Sequence, residues 1–305
     1  MDAAIQLTRR YLRPLAVIAA LFMIPSLAIG IVARAVVPST PAASLEVAEI
    51  ASSTGLLMLL AAINVAVASV GMGALVLAAA RAYEEGTTPH PMEAVRGALR
   101  RAPAIITGNL MGLVVVVMAI GVLVVASSIL VTVLMFMVST FALNLGGVAL
   151  QLMAIAMTTF IVLGTLALML LTGAHFANIT AAAVLEELGP WRAFLRSVAL
   201  VRGNLRRTAG VVAIGMVLYL VAYLTVLAAA ALIFRDLELA TTASSVVALV
   251  TYPFIGSLMT VLYYDLRVRG EGYDVELMAL ALAETDKVGE GEGTTGGDEI
   301  PSTPA

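Results

Sequence analysis

The chain has no cysteine, one lysine (Lys287), one tryptophan (Trp191) and two histidines. Without cysteine there are no disulfides, thiol nucleophiles, iron–sulfur clusters or thiolate-bound metals. Two histidines are too few for a conventional zinc site. Charged residues make up only 12% of the 305 positions, against about 25% in soluble domains. None of them falls in the middle of a long apolar stretch, whereas pumps and coupled carriers usually keep an ionisable group at membrane depth. No H-E-x-x-H helix, Walker loop, G-x-S-x-G elbow or EF-hand loop is present. An enzyme is therefore not expected, nor a cofactor, a bound metal or a nucleic-acid partner.

What is abundant is hydrophobicity, at 61% of residues. A soluble fold of this length cannot bury so much apolar surface, so the bilayer must be its solvent. A helix crossing the hydrocarbon core needs about 20 apolar residues. Six stretches qualify, at 14–37, 55–80, 104–138, 147–174, 209–234 and 244–264. Apolar residues run on continuously rather than alternating, which predicts helices and not barrel strands. Two stretches are too long for an upright helix, and the third of the six must tilt strongly or project into water.

The arginine pairs Arg9-Arg10, Arg100-Arg101 and Arg206-Arg207 each precede a long apolar stretch, about a hundred residues apart. This spacing predicts three pseudo-repeated hairpins, at about 3–90, 91–189 and 190–273. Each begins with a short basic helix and ends in a turn rich in acid and glycine: 81–86 (RAYEEG), 186–190 (EELGP) and 265–272 (DLRVRGEG). The first pair, within 8–13, also matches a twin-arginine export signal. Its recurrence at internal positions and the length of the run behind it favour an uncleaved first crossing. The expected fold is all-α and polytopic, a six-helix membrane domain over 1–284. A disordered acidic tail follows over 285–305, and Val275, Met278 and Leu282 can line a short helix ahead of it.

The basic segments are amphipathic. Over 91–103, Met92, Val95, Leu99 and Ala102 recur at helical spacing, with Glu93, Arg96, Arg100 and Arg101 on other faces. Over 190–207, Trp191, Phe194, Leu195, Val198, Val201 and Leu205 form the apolar set, and Pro190 suits a first helical position. Such helices lie along a membrane surface, where Arg192, Arg196, Arg206 and Arg207 are candidate contacts to anionic lipid phosphates. Tyr11, Trp191, Tyr263 and Tyr264 fall where an interfacial aromatic belt is expected. The polar residues within the crossings are Asn64, Asn109, Gln151, His175 and Asn178. Asn109, inside the small-xxx-small pattern Gly108–Gly112, reads first as an interhelical hydrogen bond. Ser69–Gly73 and Gly173–Ala177 show the same packing pattern. His175 and Asn178 share a helix face, and capping or packing explains them more simply than a proton relay.

The runs 189–204 (GPWRAFLRSVALVRGN) and 262–274 (LYYDLRVRGEGYD) resemble the glycerophosphoryl diester phosphodiesterase membrane-domain family, a group of prokaryotic polytopic membrane proteins. The resemblance covers most of the chain, with its sharpest motifs in the last third. It implies a membrane domain without the soluble phosphodiesterase from which the family is named. The chain has no room for that barrel and lacks its metal-binding carboxylates, so the activity does not follow. The sequence therefore points to a non-enzymatic membrane or envelope component that organises lipid or a partner protein through basic cytoplasmic helices. The alternative is a transporter or channel for a small or lipid-like solute, with Asn64, Asn109, His175 and Asn178 lining its path.

Placing the N-terminus in the cytoplasm puts fifteen of the seventeen basic residues on that side, leaving only Arg34 and Arg235 outside. The positive-inside rule then predicts a multi-pass protein of the inner membrane with both termini cytoplasmic. Reporter fusions at Ala43 and Asp236 are expected to give an external signal; a cytoplasmic signal at either contradicts this topology.

Overall fold

The computed structural model describes residues 2–36, 47–141 and 147–272, and these are helical throughout apart from short connections. A short helix α1 (Asp2–Arg10) leads into α2 (Leu12–Val36), and α3 (Val47–Glu84) returns. Next, α4 (Pro91–Arg100) leads into α5 (Ala102–Phe141), α6 (Gly147–Phe176) returns, and a short buried helix α7 (Ile179–Leu185) follows. Finally α8 (Pro190–Val201) leads into α9 (Leu205–Phe234), and α10 (Leu237–Ser244) and one 3₁₀ turn precede α11 (Ala248–Glu271). Among the described residues six helical spans are long and apolar enough to cross a membrane, as the hydrophobic stretches predict. A short helix precedes a spanning helix three times, while α7 and α10 are additions that a plain threefold hairpin does not contain.

The joints between short and long helices follow from local sequence. Pro91 and Pro190 occupy the first turns of α4 and α8, where a missing N–H is no loss. The segment 190–207 was expected as one helix but breaks at Arg202–Asn204. Gly203 has φ +92°, a left-handed conformation that side-chain-bearing residues resist, so α8 stops there and Arg206 and Arg207 fall in the first turn of α9. The short helix expected near 275–282, the domain boundary at 284 and the acidic tail lie outside the described residues.

The chain divides into two compact units, Met1–Tyr263 and Tyr264–Ala305. In the second, residues 264–271 are helical, braced by Arg269–Asp265 at 3.1 Å and Arg267–Glu271 at 3.4 Å. In the first, the core gathers at one end, formed by the starts of α2, α5 and α9 and the ends of α3 and α6. This is the end that carries most of the arginines, and it is called the basic end below. Its buried residues are mostly small: Ala74, Ala78, Ala79 and Ala82 on α3, Ala94 and Ala98 on α4, and Ala181, Ala182 and Ala183 on α7. Glycines bring backbones closer still. A Cβ added at Gly97 would lie 2.5 Å from the Leu77 side chain, one at Gly256 2.8 Å from Leu75, and one at Gly108 2.9 Å from Ile179. Gly73 and Gly112 pack as their small-xxx-small patterns predict, whereas a Cβ at Gly173 meets nothing within 4 Å, so the Gly173–Ala177 pattern is not a contact.

Away from the basic end the helices are largely exposed. None of the most apolar window of α6 is buried and only 6% of that of α5, against 39% for α3. Val117, Val122, Ile129, Ile155 and Phe160 are each more than half exposed, which only lipid or another apolar partner makes tolerable. Gly256→Val is expected to lower thermal stability by about 1–3 kcal/mol, since overpacking a close contact strains both helices. Gly121→Ala, at a site with nothing within 4 Å of the new methyl, should leave it unchanged or slightly raised. Thermal unfolding of the purified chain in lipid discs measures both, and equal effects at the two sites would contradict the close packing.

Candidate functional site

The basic end is built from charged turns. Glu186 and Glu187 close α7, and each carboxylate takes an arginine from a different helix. Arg196 on α8 holds Glu186 through Nε at 2.9 and 3.0 Å and through Nη2 at 2.8 Å, a forked arrangement that matches guanidinium to carboxylate. The Tyr263 hydroxyl from α11 donates to the same carboxylate. Arg101, at the start of α5, pairs with Glu187 and also donates to its carbonyl oxygen at 3.3 Å. Glu187 has φ 54°, and this left-handed turn directs its backbone carbonyl and side chain to one cation. The first acidic turn works in a similar way. Arg81 pairs with Glu93 at 3.0 Å, and the buried Tyr11 donates to the Gly86 carbonyl at 2.6 Å. Tyr11 and Tyr263 therefore brace the bundle from inside, correcting their expected place in an interfacial belt.

The short helices carry two apolar faces. On α4, Ala94, Val95 and Ala98 are buried, while Met92 and Leu99 stand more than half exposed beside Arg96 and Arg100. On α8, Ala193, Ser197, Leu200 and Val201 are buried, and Trp191 and Leu195 are exposed beside Arg192. Trp191 stacks on Phe194 at 5.8 Å, and Phe194 stacks on Phe176 of α6 at 5.1 Å, so the indole is anchored while one side stays open. The apolar set read along 91–103 thus divides: Val95 is buried with Ala94 and Ala98, while Met92 and Leu99 stay exposed. Small residues hold the packed face because they let α4 approach α3 closely.

Three of the four polar intramembrane candidates gather where α6 gives way to α7. Asn109 donates from Nδ2 to the Thr180 hydroxyl at 3.0 Å, the interhelical bond its context predicts. His175 Nδ1 lies 2.8 Å from the Leu171 carbonyl; because a carbonyl only accepts, this nitrogen carries the proton. Ser197 of α8 donates to the His175 carbonyl at 2.6 Å and accepts from the Asn178 amide N–H at 3.3 Å, satisfying backbone groups exposed by the helix break. The Asn178 side chain is fully buried, precedes α7 without capping it, and has no partner among the described residues.

Asn64 lies elsewhere. It lines a half-open cavity of about 260 Å³ bordered by α2, α3, α9, α10 and α11, toward the opposite end of the bundle. Tyr219, Tyr223 and Tyr252 line the same cavity, with the Tyr219 and Tyr223 rings stacked at 6.0 Å. The sequence reading passed over these tyrosines, although two tyrosines four apart in the middle of an apolar crossing were visible as a polar pair on one helix face.

Of the candidate phosphate contacts, Arg192, Arg206 and Arg207 are exposed, and Arg196 is held by Glu186. Among the described residues no cluster of three or more His, Asp or Glu could hold a metal ion. No protein-family model, curated protein or solved structure matches this chain.

Glu186→Gln should destabilise the chain by about 1–3 kcal/mol, because it leaves the Arg196 guanidinium without its counter-charge. Tyr263→Phe should cost about 1 kcal/mol, the net worth of one hydrogen bond. The Glu186→Gln and Arg196→Gln losses should be non-additive by at least about 0.5 kcal/mol in a double-mutant cycle. Purely additive losses would contradict a shared cluster.

Proposed function

We propose that this chain is a non-enzymatic, multi-pass component of the cytoplasmic membrane that gathers anionic lipid at its basic end, with that end and both termini in the cytoplasm. The observation that carries the reading is the double-faced build of α4 and α8. One face of each is seated on the bundle by small residues, and a second exposes large apolar side chains beside arginine. Trp191, Leu195, Met92 and Leu99 would enter the boundary between headgroups and acyl chains, while the arginines meet the phosphates. Arg196 belongs to the frame, since its guanidinium is engaged by Glu186. The contacts carried forward, on their exposure alone, are Arg192, Arg206 and Arg207. The resemblance to the phosphodiesterase membrane-domain family, carried by 189–204 and 262–274, supports a membrane role for this segment and supplies no catalytic residue.

A transporter needs its polar groups along one path. Asn109, His175 and Asn178 are grouped at the α6–α7 break, where two of them serve helix contacts or the backbone, and Asn64 lies in a separate cavity. That separation weighs for the lipid-organising reading.

An arginine beside an anionic surface contributes about 1 kcal/mol, so Arg192, Arg206 and Arg207 changed together to Gln should weaken lipid retention roughly a hundredfold. Native mass spectrometry of the chain in discs of phosphatidylethanolamine and phosphatidylglycerol reads this directly. Enrichment of phosphatidylglycerol should vanish in the triple variant and decline with added salt in the wild type. Equal enrichment in a triple variant of unchanged thermal stability would reject the reading.

A further inference from the structure

The cavity around Asn64 belongs to neither the charged turns nor the basic helices. From the observations below, we infer that it binds an uncharged, hydroxyl-rich head such as a sugar or polyol, at a depth past the middle of the crossings. Tyr219 is about half-way along α9 and Tyr223 one turn further from the basic end, and Ser26 lies past the middle of α2. The groove therefore faces the half of the membrane opposite the arginines.

Its lining selects the class of ligand. Among the described residues no charged side chain borders it; the polar groups are Asn64, the three tyrosines, Ser26, Thr242 and Ser245. An anion placed there would give up part of its hydration with no cation among the described lining residues to compensate. A quaternary ammonium would find aromatic rings but no carboxylate, and it has no acceptor for the phenol and amide protons around it. Among the described residues, the side chains of Asn64, Tyr219, Tyr223 and Tyr252 make no hydrogen bond with the protein. The Asn64 amide offers both donors and an acceptor, and each phenol offers one O–H and lone pairs. Only a ligand that donates and accepts at several neighbouring points satisfies all of these groups. Hydroxyls on a compact ring or chain do so, with apolar C–H faces left to lie against the tyrosine rings. The remaining lining, including Met23, Leu27 and Ile31, is apolar and suits the acyl or ether stem of such a head.

The same chemistry can arrive on a lipid or as a free solute, and the experiment separates the two. The full chain in lipid discs would be given monoglucosyl diacylglycerol in one arm and methyl glucoside in the other, with phosphatidylglycerol and phosphatidylcholine as competitors. Native mass spectrometry would read the lipids and calorimetry the free glycoside. Retention of the glucosyl lipid that neither phospholipid displaces is expected, falling at least about tenfold in Tyr219→Phe/Tyr223→Phe/Tyr252→Phe, which keeps ring volume and removes only hydroxyls, and in Asn64→Leu. Binding of methyl glucoside with the same sensitivity would also support the site and assign it to a free solute. No binding in either arm, or binding that the variants leave unchanged at unaltered thermal stability, would overturn the inference. So would preferential retention of phosphatidylcholine or phosphatidylglycerol through these residues. Arg192, Arg206 and Arg207 take no part in this test, so its failure leaves the basic-end reading standing, and the reverse holds equally.

Discussion

In a bilayer the usual reason for helices to associate is missing, because lipid tails are as apolar as leucine. Helices then cohere where backbones approach closely enough for dispersion and weak polar contacts to act. In this chain that condition is met at one end of α3, where alanines at 74, 78, 79 and 82 are buried. Gly73 receives the Ile105 side chain, and Gly97 of α4 admits Leu77. Thr260 reaches the Val76 carbonyl at 3.3 Å across the same seam, a bond available only when helices nearly touch. The other elements of the first unit are arranged around this contact.

The charged turns depend on that seam for their geometry. Glu186 meets Arg196 and Tyr263 because α7 is seated between α3, α5 and α8, and α7 is seated there because its exposed-looking run of alanines offers no bulk to resist it. A partly buried carboxylate without partners would be costly, and here each acid of the 186–187 turn has a guanidinium. The helix break at Asn178 is tolerated for the same reason, since Ser197 supplies hydrogen bonds to the backbone groups it frees. The arginines thus differ in environment: those at 101 and 196 hold the carboxylates of the 186–187 turn, and those at 192 and 206 face outward.

Much of the fold was legible in the sequence because crossing a membrane requires long apolar runs. Six runs were apparent, along with Pro190 as a helix start and Asn109 as a helix-to-helix bond. What escaped was anything decided by size rather than polarity. In a helix apolar on every side, the 3.6-residue rhythm fades, so the buried stripe of α3 is marked by alanine and glycine and not by hydrophobicity. The packed face of α4 is likewise marked by Ala94, Gly97 and Ala98, with Met92 and Leu99 left exposed. The break at Gly203 needed a backbone angle to reveal it. The bond from Tyr263 to Glu186 joins residues 77 apart, and no local pattern announces such a pair. The tyrosine-lined cavity stayed hidden because Asn64, Tyr219 and Tyr252 come from three separate crossings.

The concentration of close packing at one end also shapes how such a sequence can change over generations. Positions along α5, α6 and α9 that face outward ask only for hydrophobicity, so valine, isoleucine, leucine and alanine can replace one another there with little selection against them. Positions such as Gly97, Gly256, Ala182 and Glu186 admit almost no exchange, because a methyl group or a lost charge is felt at once by a neighbouring backbone or guanidinium. Two descendants of one ancestor would then keep a sparse set of small and charged residues at one end and lose resemblance nearly everywhere else. Kinship among such proteins is better sought in that sparse set than in overall identity.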